Sequence, residues 1–382
     1  MRKRIRPEAR RRDRDRLLGR VGLFRLVLLV LLPLSIGACA SFPDPIEGEV
    51  WPTPARGVVV SEHPLASSVG RDVLERGGNA VDAAVATAFA LAVVHPQAGN
   101  LGGGGFAIHV PHRKDAAILA LDFRETAPAL LTPEAFLDEN GEVVRERALA
   151  SHLAVGVPGS PYGLWELHRR GGGVLSWQEV LTPAIDLASE GFRVDPWLAR
   201  ALADEGIRKR VDLGPARVLF YPGGEPLQAG DLLVQRELAR TLAILAAEGP
   251  AGFYGGPVGD ALIAEMRRGG GVMRAADLAA YRPIEREPLR GWFRGQELIT
   301  MPPPSSGGIV LLQVLSVLDG FPLDQERRAT IEASAELAAG DPDAVVDEVG
   351  ISGRAVHWWI EAMRRAFADR AEHMGDPDFH PV

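Results

Sequence analysis

"GGNAVDAAVATAFALAVVHPQAGNLGGGGFAIHV", residues 77–110, decides how the rest of the chain is read. Gly77-Gly78 stops one helix, and Asn79 is placed to cap the next. Its side-chain oxygen can accept first-turn amides, and Asp82 at the third helical position supports the same free donors. From Ala80 to Val94 the residues are apolar on nearly every side of a helix. Such a helix is buried, and its many alanines imply that neighbouring backbone comes close. The glycine run Gly102–Gly105 raises the question of a phosphate loop. A phosphate cradle needs a strand, then glycines, then a helix whose N-terminus faces the anion. Here a helix comes first, a strand over Phe106–Val110 follows the glycines, and no Lys-Ser/Thr pair succeeds them. The run reads instead as a tight backbone passage where a Cβ would clash.

Working outward, "FAIHV", the turn "PHRKD" and "AAILALDF" form a predicted β-hairpin whose second strand ends at Asp122-Phe123 and delivers "RETAP". Upstream, "GVVVSEHP" reads as a short strand ending at Pro64, and Ala66, Val69, Val73 and Leu74 sit at helical spacing. From about Val157 to Ala247 the pattern is mostly helical, with Ser176 as a cap and Gly191 as a terminator. A short strand-like piece within "RVLFYPGGEPLQAGDLLVQ" interrupts it, and two further helices follow to Gly271. "GWFRGQELITM" is strand-like. "PPPSSGG" (302–308) is neither helix nor central strand, because its three prolines lack donors. A helix "IVLLQVLSVLDGF" comes next, Pro322–Gly353 reads as a surface insertion, and a last helix covers about Arg354–His373. The fold class is therefore α/β, with no internal repeat.

Function classes narrow quickly. The nine histidines are scattered, without the spacing that three or four zinc ligands need, and read as ordinary surface residues. No serine sits in a G-x-S-x-G elbow. Ser305 and Ser306 lie in the proline loop, where Ser306 reads as a helix cap. Arg124 is the residue that stands out chemically. It follows a predicted strand, so it would be held rigidly at a sheet end. A guanidinium can grip a carboxylate with two parallel hydrogen bonds; the local alternative is a salt bridge to Asp122 or Glu125.

The N-terminus has a different character. Its first 25 residues hold eleven Lys or Arg against three acids, followed by the apolar run Leu26–Ala38. That run falls short of the roughly 20 residues a spanning helix needs and reads as an export signal over residues 1–38. The small residues Gly37 and Ala38 before Cys39, the sole cysteine, resemble a bacterial lipobox. The expectation is a lipoprotein acylated at Cys39 and held on a lipid membrane by more than one acyl chain. Residue 40 is Ala rather than Asp, which by resemblance to enterobacterial lipoproteins implies sorting to the outer membrane of a bacterial envelope, facing the periplasm. The Pro-rich residues 39–56 read as a tether, and the body as 57–382. Beyond residue 38 the chain carries 31 basic and 47 acidic residues, a net charge of −16. Such an acidic body argues against nucleic-acid binding.

Eight stretches, in order, carry a resemblance: "GGNAVDAAVA", "GNLGGGGF", "LDFRETAP", "AVGVPGSPYGL", "PAIDLASEGF", "GFYGG", "MPPPSSGG" and "AFADRAEHMGDPDF". Together they resemble the γ-glutamyltranspeptidase family, with cephalosporin acylases as relatives, from about Gly57 to Val382. The resemblance implies the αββα sandwich of N-terminal-nucleophile hydrolases, of which this chain would supply the large-subunit part. It implies a precursor that cuts itself into a large and a small subunit and uses neither cofactor nor metal. The small subunit's N-terminal Thr attacks the γ-carbonyl of glutathione or another γ-glutamyl compound. Its own α-amine, titrating near ~8, acts as base, and backbone amides hold the oxyanion. The γ-glutamyl group then passes to water or to an amino-acid or peptide acceptor. The Arg of the family's "RExAP" motif binds the α-carboxylate of the glutamyl group, a role that falls on Arg124.

In the family the nucleophile is a Thr followed by Thr or Ser and then His, but each of this chain's eight threonines is followed by other residues. The expectation is an incomplete domain with no catalytic residue of its own, ending shortly before the self-cleavage point and inactive without a small subunit. Two alternatives stay open: a non-catalytic lipoprotein that keeps the scaffold for binding, and a related acylase acting on glutaryl or cephalosporin substrates.

Overall fold

The computed structural model describes residues 57–113, 116–212, 214–338 and 350–382. The segments read as an export signal and a tether, with Cys39 between them, lie outside the described residues, as does most of the second half of the expected insertion.

Among the described residues, two helices come first, joined by a short turn. α1 (Pro64–Glu75) starts with Pro64, whose missing N–H is harmless in a first turn, and His63 Nδ1 accepts the Leu65 amide at 3.2 Å. α2 (Ala80–Val94) opens on the expected Asn79 cap, which Asp82 completes as a capping box. Asn79 Oδ1 accepts from Val81 and Asp82, and Asp82 Oδ2 accepts the Asn79 amide at 2.8 Å. Then come β1 (Phe106–His109) and β2 (Leu119–Asp122), the predicted hairpin. α3 (Arg145–Leu149), α4 (Ser160–Arg170) and α5 (Trp177–Glu190) follow. α5 carries the Ser176–Glu179 capping box and stops at Gly191, whose φ of +88° suits glycine.

A two-residue strand β3 (Phe192–Arg193) and the short helices α6 (Pro196–Leu202) and α7 (Glu205–Val211) come next, and the interruption foreseen over residues 217–235 holds α8 (Arg217–Phe220) and β4 (Leu232–Leu233). β3 pairs with β4. Three helices, not two, come next: α9 (Arg236–Glu248), α10 (Pro250–Tyr254) and α11 (Gly256–Arg268). Gly249, at φ +63°, and Pro250 break the run and restart it at once, which yields the extra turn.

After α12 (Ala275–Ala280), β5 (Ile284–Arg286) joins the far side of β2, giving an antiparallel sheet of order β1-β2-β5. The stretch read as one strand is a second hairpin, β6 (Leu289–Phe293) and β7 (Gln296–Thr300). Arg294 and Gly295 form its two-residue turn with φ of +51° and +76°, the paired positive values of a type I′ turn. α13 (Ser306–Leu318), α14 (Leu323–Ala338) and α15 (Gly353–His373) close the chain.

The main core surrounds α2. Phe89 is fully buried and meets Trp177 edge-on at 5.5 Å between ring centres, and Trp165 packs against Trp177 at 5.0 Å. The Trp177 indole N–H reaches Leu245 O at 2.9 Å, and the Gln235 amide nitrogen reaches Val93 O at 2.7 Å, so these two buried donors are satisfied, whereas the buried Thr87 hydroxyl on α2 has no hydrogen-bond partner among the described residues. Asp82, wholly buried, also accepts from the Val174 amide and pairs with His168 Nε2, both at 3.1 Å.

Four further expectations need correction. Residues 57–62 are extended but pair with no strand among the described residues, so high β-propensity is not matched by a ladder. Val59 packs inward while Val58 and Val60 face outward. The segment read as an insertion is helical in its first half, and Glu326 of α14 ties it to the start of α15 through Ser352 and Arg354. Ser305, not Ser306, occupies the cap position of α13, and the Ser306 hydroxyl accepts from Arg370 Nε at 2.8 Å. Finally, three histidines are not ordinary surface residues: His63, His152 and His168 pair with Asp195, Glu265 and Asp82.

Candidate functional site

Arg124 sits two residues beyond β2, the central strand of the three-stranded sheet. Its main chain is fixed from every side. The Asp122 carboxylate accepts the Arg124 amide at 3.0 Å, and the Tyr281 hydroxyl donates to the Arg124 carbonyl at 3.0 Å. Burial, reinforced by the Asp122 and Glu125 carboxylates, pushes the Tyr281 phenol above the ordinary tyrosine range, so it stays a donor. One residue upstream, Phe123 exchanges backbone hydrogen bonds with Gly105 at 2.9 and 3.2 Å.

The glycine run works as the tight passage that its sequence suggested. A Cβ on Gly104 would lie 2.5 Å from Phe123 O and 2.8 Å from the Arg124 Cα. On the other side Gly159 abuts the Phe123 carbonyl, while the Gly159 and Ser160 amides donate to Gly103 O at 2.8 and 2.9 Å. Three chain segments thus close on one peptide, and only glycine lets them approach so far.

The Arg124 side chain, by contrast, is exposed and enters a cleft of about 730 Å³. Glu125, the Gly104–Phe106 stretch, Pro304 to Gly307, Arg370 and Met374 to Asp376 line the rest. The salt bridge considered from sequence is not formed: among the described residues no ion pair joins the Arg124 guanidinium to Asp122 or Glu125. Asp122 instead pairs with Arg286, at 3.0 Å from Nη2. Arg286 in turn grips Asp378 through 2.8 and 2.6 Å bonds. A charged fork on a rigid mount, without an ion-pair partner among the described residues and facing an open cleft, is suited to hold a carboxylate.

A family model for gamma-glutamyltranspeptidase matches residues 66–382. The chain belongs to the gamma-glutamyltranspeptidase family. The "glutathione hydrolase proenzyme" of Escherichia coli (strain K12) is 40% identical over 368 residues, covering 94% of this chain and 59% of the relative. "Acylase ACY 1 proenzyme" of Pseudomonas sp. (strain SE83) is 40% identical over 334 residues, 86% of this chain and 55% of the relative. Among solved structures, the gamma-glutamyltranspeptidase of Helicobacter pylori superposes with a TM-score of 0.74 at 39% identity, covering 88% of each chain. The chain therefore has the mixed helix-and-sheet fold of the N-terminal-nucleophile hydrolases in this family, and it spans a little over half the length of the curated relatives it matches.

The glutamyl-binding candidate of the sequence reading, Arg124, is at the cleft; Cys39, the lipidation candidate, lies outside the described residues. Among the described residues no group of His, Cys, Asp and Glu is placed to hold a metal ion. Sequence reasoning missed Arg286, Asp378, Tyr281 and Arg370. The first three reach the Arg124 strand end across more than 90 residues of chain or close on it from its far side, and no local pattern marks them.

Proposed function

We propose that this chain is the large-subunit part of a γ-glutamyltransferase and glutathione hydrolase. It would act with a small subunit that carries the N-terminal Thr nucleophile. In this reading Arg124 binds the α-carboxylate of the glutamyl group in glutathione or another γ-glutamyl donor. The γ-carbonyl is thereby presented to a hydroxyl supplied by the second subunit, and the acyl group passes to water or to an amine. The observation that carries the reading is the Arg124 guanidinium itself, rigidly mounted at the end of β2 and unpaired among the described residues. Two relatives of known name, a glutathione hydrolase proenzyme and a gamma-glutamyltranspeptidase structure, support it.

The test is to express the chain with the coding sequence that follows codon 382 and to follow γ-glutamyl-p-nitroanilide. Arg124→Gln should raise KM by roughly 100-fold, since a charge-assisted bidentate contact is worth about 1.5–3 kcal/mol. Arg124→Lys should recover only part of it, because an ammonium lacks the fork. An unchanged KM in Arg124→Gln sinks the assignment.

A second reading, an acylase on glutaryl or cephalosporin substrates, is favoured by the 40% identity to an acylase proenzyme. Comparing γ-glutamyl with glutaryl amides separates the two, because only the former offers an α-amino carboxylate. A stand-alone binding scaffold is disfavoured by the bare apolar face of α15, since large exposed apolar patches mark interaction sites.

For localisation, we propose an export signal over residues 1–38, acylation of Cys39, a tether over 39–56 and a large-subunit body over 57–382 held at the outer membrane. Cys39→Ser should release the protein from the membrane fraction, and palmitate labelling should vanish with it.

A further inference from the structure

Arg286 ends β5 on the edge of the three-stranded sheet, and its guanidinium is mostly buried. It serves two carboxylates at once. Nε and Nη2 donate to Asp122 Oδ2 at 3.2 and 3.0 Å, while Nη1 and Nη2 donate to the two oxygens of Asp378 at 2.8 and 2.6 Å. The remaining oxygen of Asp122 holds the Arg124 amide. Asp378 belongs to a turn that is ordered on its own account. Its amide donates to Asp376 Oδ1 at 3.0 Å, and the Phe379 and His380 amides donate to Asp376 O at 3.0 and 2.8 Å. Met374, Gly375 and Asp376, just before Asp378, form one wall of the cleft, while Arg124 and Glu125 form part of another.

We propose that Arg286 is a positioning residue that fixes the spacing between these two walls, tying the strand end of Arg124 to the turn at Asp376–Asp378. The idea rests on the carboxylate-binding role of Arg124 proposed above. Its geometric content is that one planar fork spans two carboxylates, a task for which an ammonium is a poor substitute. Loosening the fork would let the Asp376 turn and the Arg124 peptide drift apart. Loss of alignment at a binding group lowers the effective affinity for the ground state first.

The experiment uses the complete two-subunit enzyme, with Arg286→Lys, Asp378→Asn, Arg124→Gln and, as a control, Glu297→Gln on the exposed β6–β7 hairpin. Two quantities are read: KM against kcat for γ-glutamyl-p-nitroanilide, and hydrogen-exchange protection of the Arg124 amide. Asp378 is half-exposed, so its substitution tests the tie in a variant that folds even where loss of Arg286 does not. Arg286→Lys and Asp378→Asn should each raise KM by about tenfold with kcat within about threefold, and Arg286→Lys should lower Arg124 protection by about tenfold. Glu297→Gln should change neither. Unchanged KM in both variants together with unchanged protection overturns the clamp, whatever Arg124→Gln does. Lost protection in Arg286→Lys with an unchanged KM in Arg124→Gln supports the clamp and overturns the carboxylate reading instead.

Discussion

Helices α2 and α15 are both rich in apolar residues, yet α2 buries eleven of its fifteen residues and α15 buries only Ala362 and Ala366 of its twenty-one. α2 is wrapped by α1, α4 and α5 and capped by a satisfied buried carboxylate. α15 rests on α13 through its two alanines and through Trp358, which stacks on Phe321 at 4.7 Å. Its other face carries Val356, Trp359, Ile360, Met363 and Phe367, with Trp359 52% and Phe367 48% exposed. That spacing of three and four is the signature of a helix made to be covered. One end of the molecule has a finished core, and the other presents the kind of surface a second chain would seal, in line with the proposed two-subunit enzyme.

The comparison can be broken most directly in the sealed region. Phe89→Ala should cost about 3–5 kcal/mol in urea unfolding of this chain, because the pocket between Trp177 and α2 cannot collapse. Phe367→Ala should cost under about 1 kcal/mol in the same assay. Equal losses would mean that α15 is no less finished than α2. The next effect should appear only when the second subunit is present. Trp359→Ala should weaken association by about 2 kcal/mol, roughly 30-fold in Kd by titration calorimetry, as for a buried aromatic anchor. An unchanged Kd would move the interface elsewhere.

Smaller effects sharpen the picture around the cleft. Tyr281→Phe removes one buried hydrogen bond to the Arg124 carbonyl and should cost about 1 kcal/mol of stability by thermal unfolding. The smallest are titrations. Hydrogen bonds from Arg268 and His152 hold the Glu265 carboxyl down to about 2. A depressed carboxylate contributes stability that is complete above its ordinary value near 4.5 and is lost as pH falls through about 2. Carboxyl NMR should place the Glu265 midpoint near 2, and a midpoint near 4.5 would show the pair to be open in solution. Burial lowers the His63 pKa against the pull of Asp195, so the folded state prefers the neutral ring. Stability should therefore decline as pH drops below about 6.5, with a flatter decline in His63→Gln.

How much of this could be read from the residues alone depended on range. The helix caps at Asn79 and Ser176, the stop at Gly191 and the first hairpin were legible because each is settled within a few residues. The glycine passage was legible too, since four glycines between a helix and a strand leave little else to do. Arg124 stood out from its place at a strand end. What surrounds it did not: Arg286 lies 164 residues from Asp122, and Tyr281 lies 157 from Arg124. Likewise His63 and Asp195, 132 apart, gave no local hint that a histidine read as superficial is buried. The valines of residues 57–62 misled for the opposite reason. Their propensity for strand is genuine, but a strand needs a neighbour, and among the described residues none is beside them.

The narrow passage at Gly104 and Gly159 has a practical consequence for anyone wishing to reshape the cleft that Arg124 enters. Randomising those positions will fill a library with misfolded members, since any side chain there displaces the peptide bearing Arg124. Variation belongs on the opposite rim of the cleft, at Pro304 and Ser305, where new shapes can be tried without disturbing the mount.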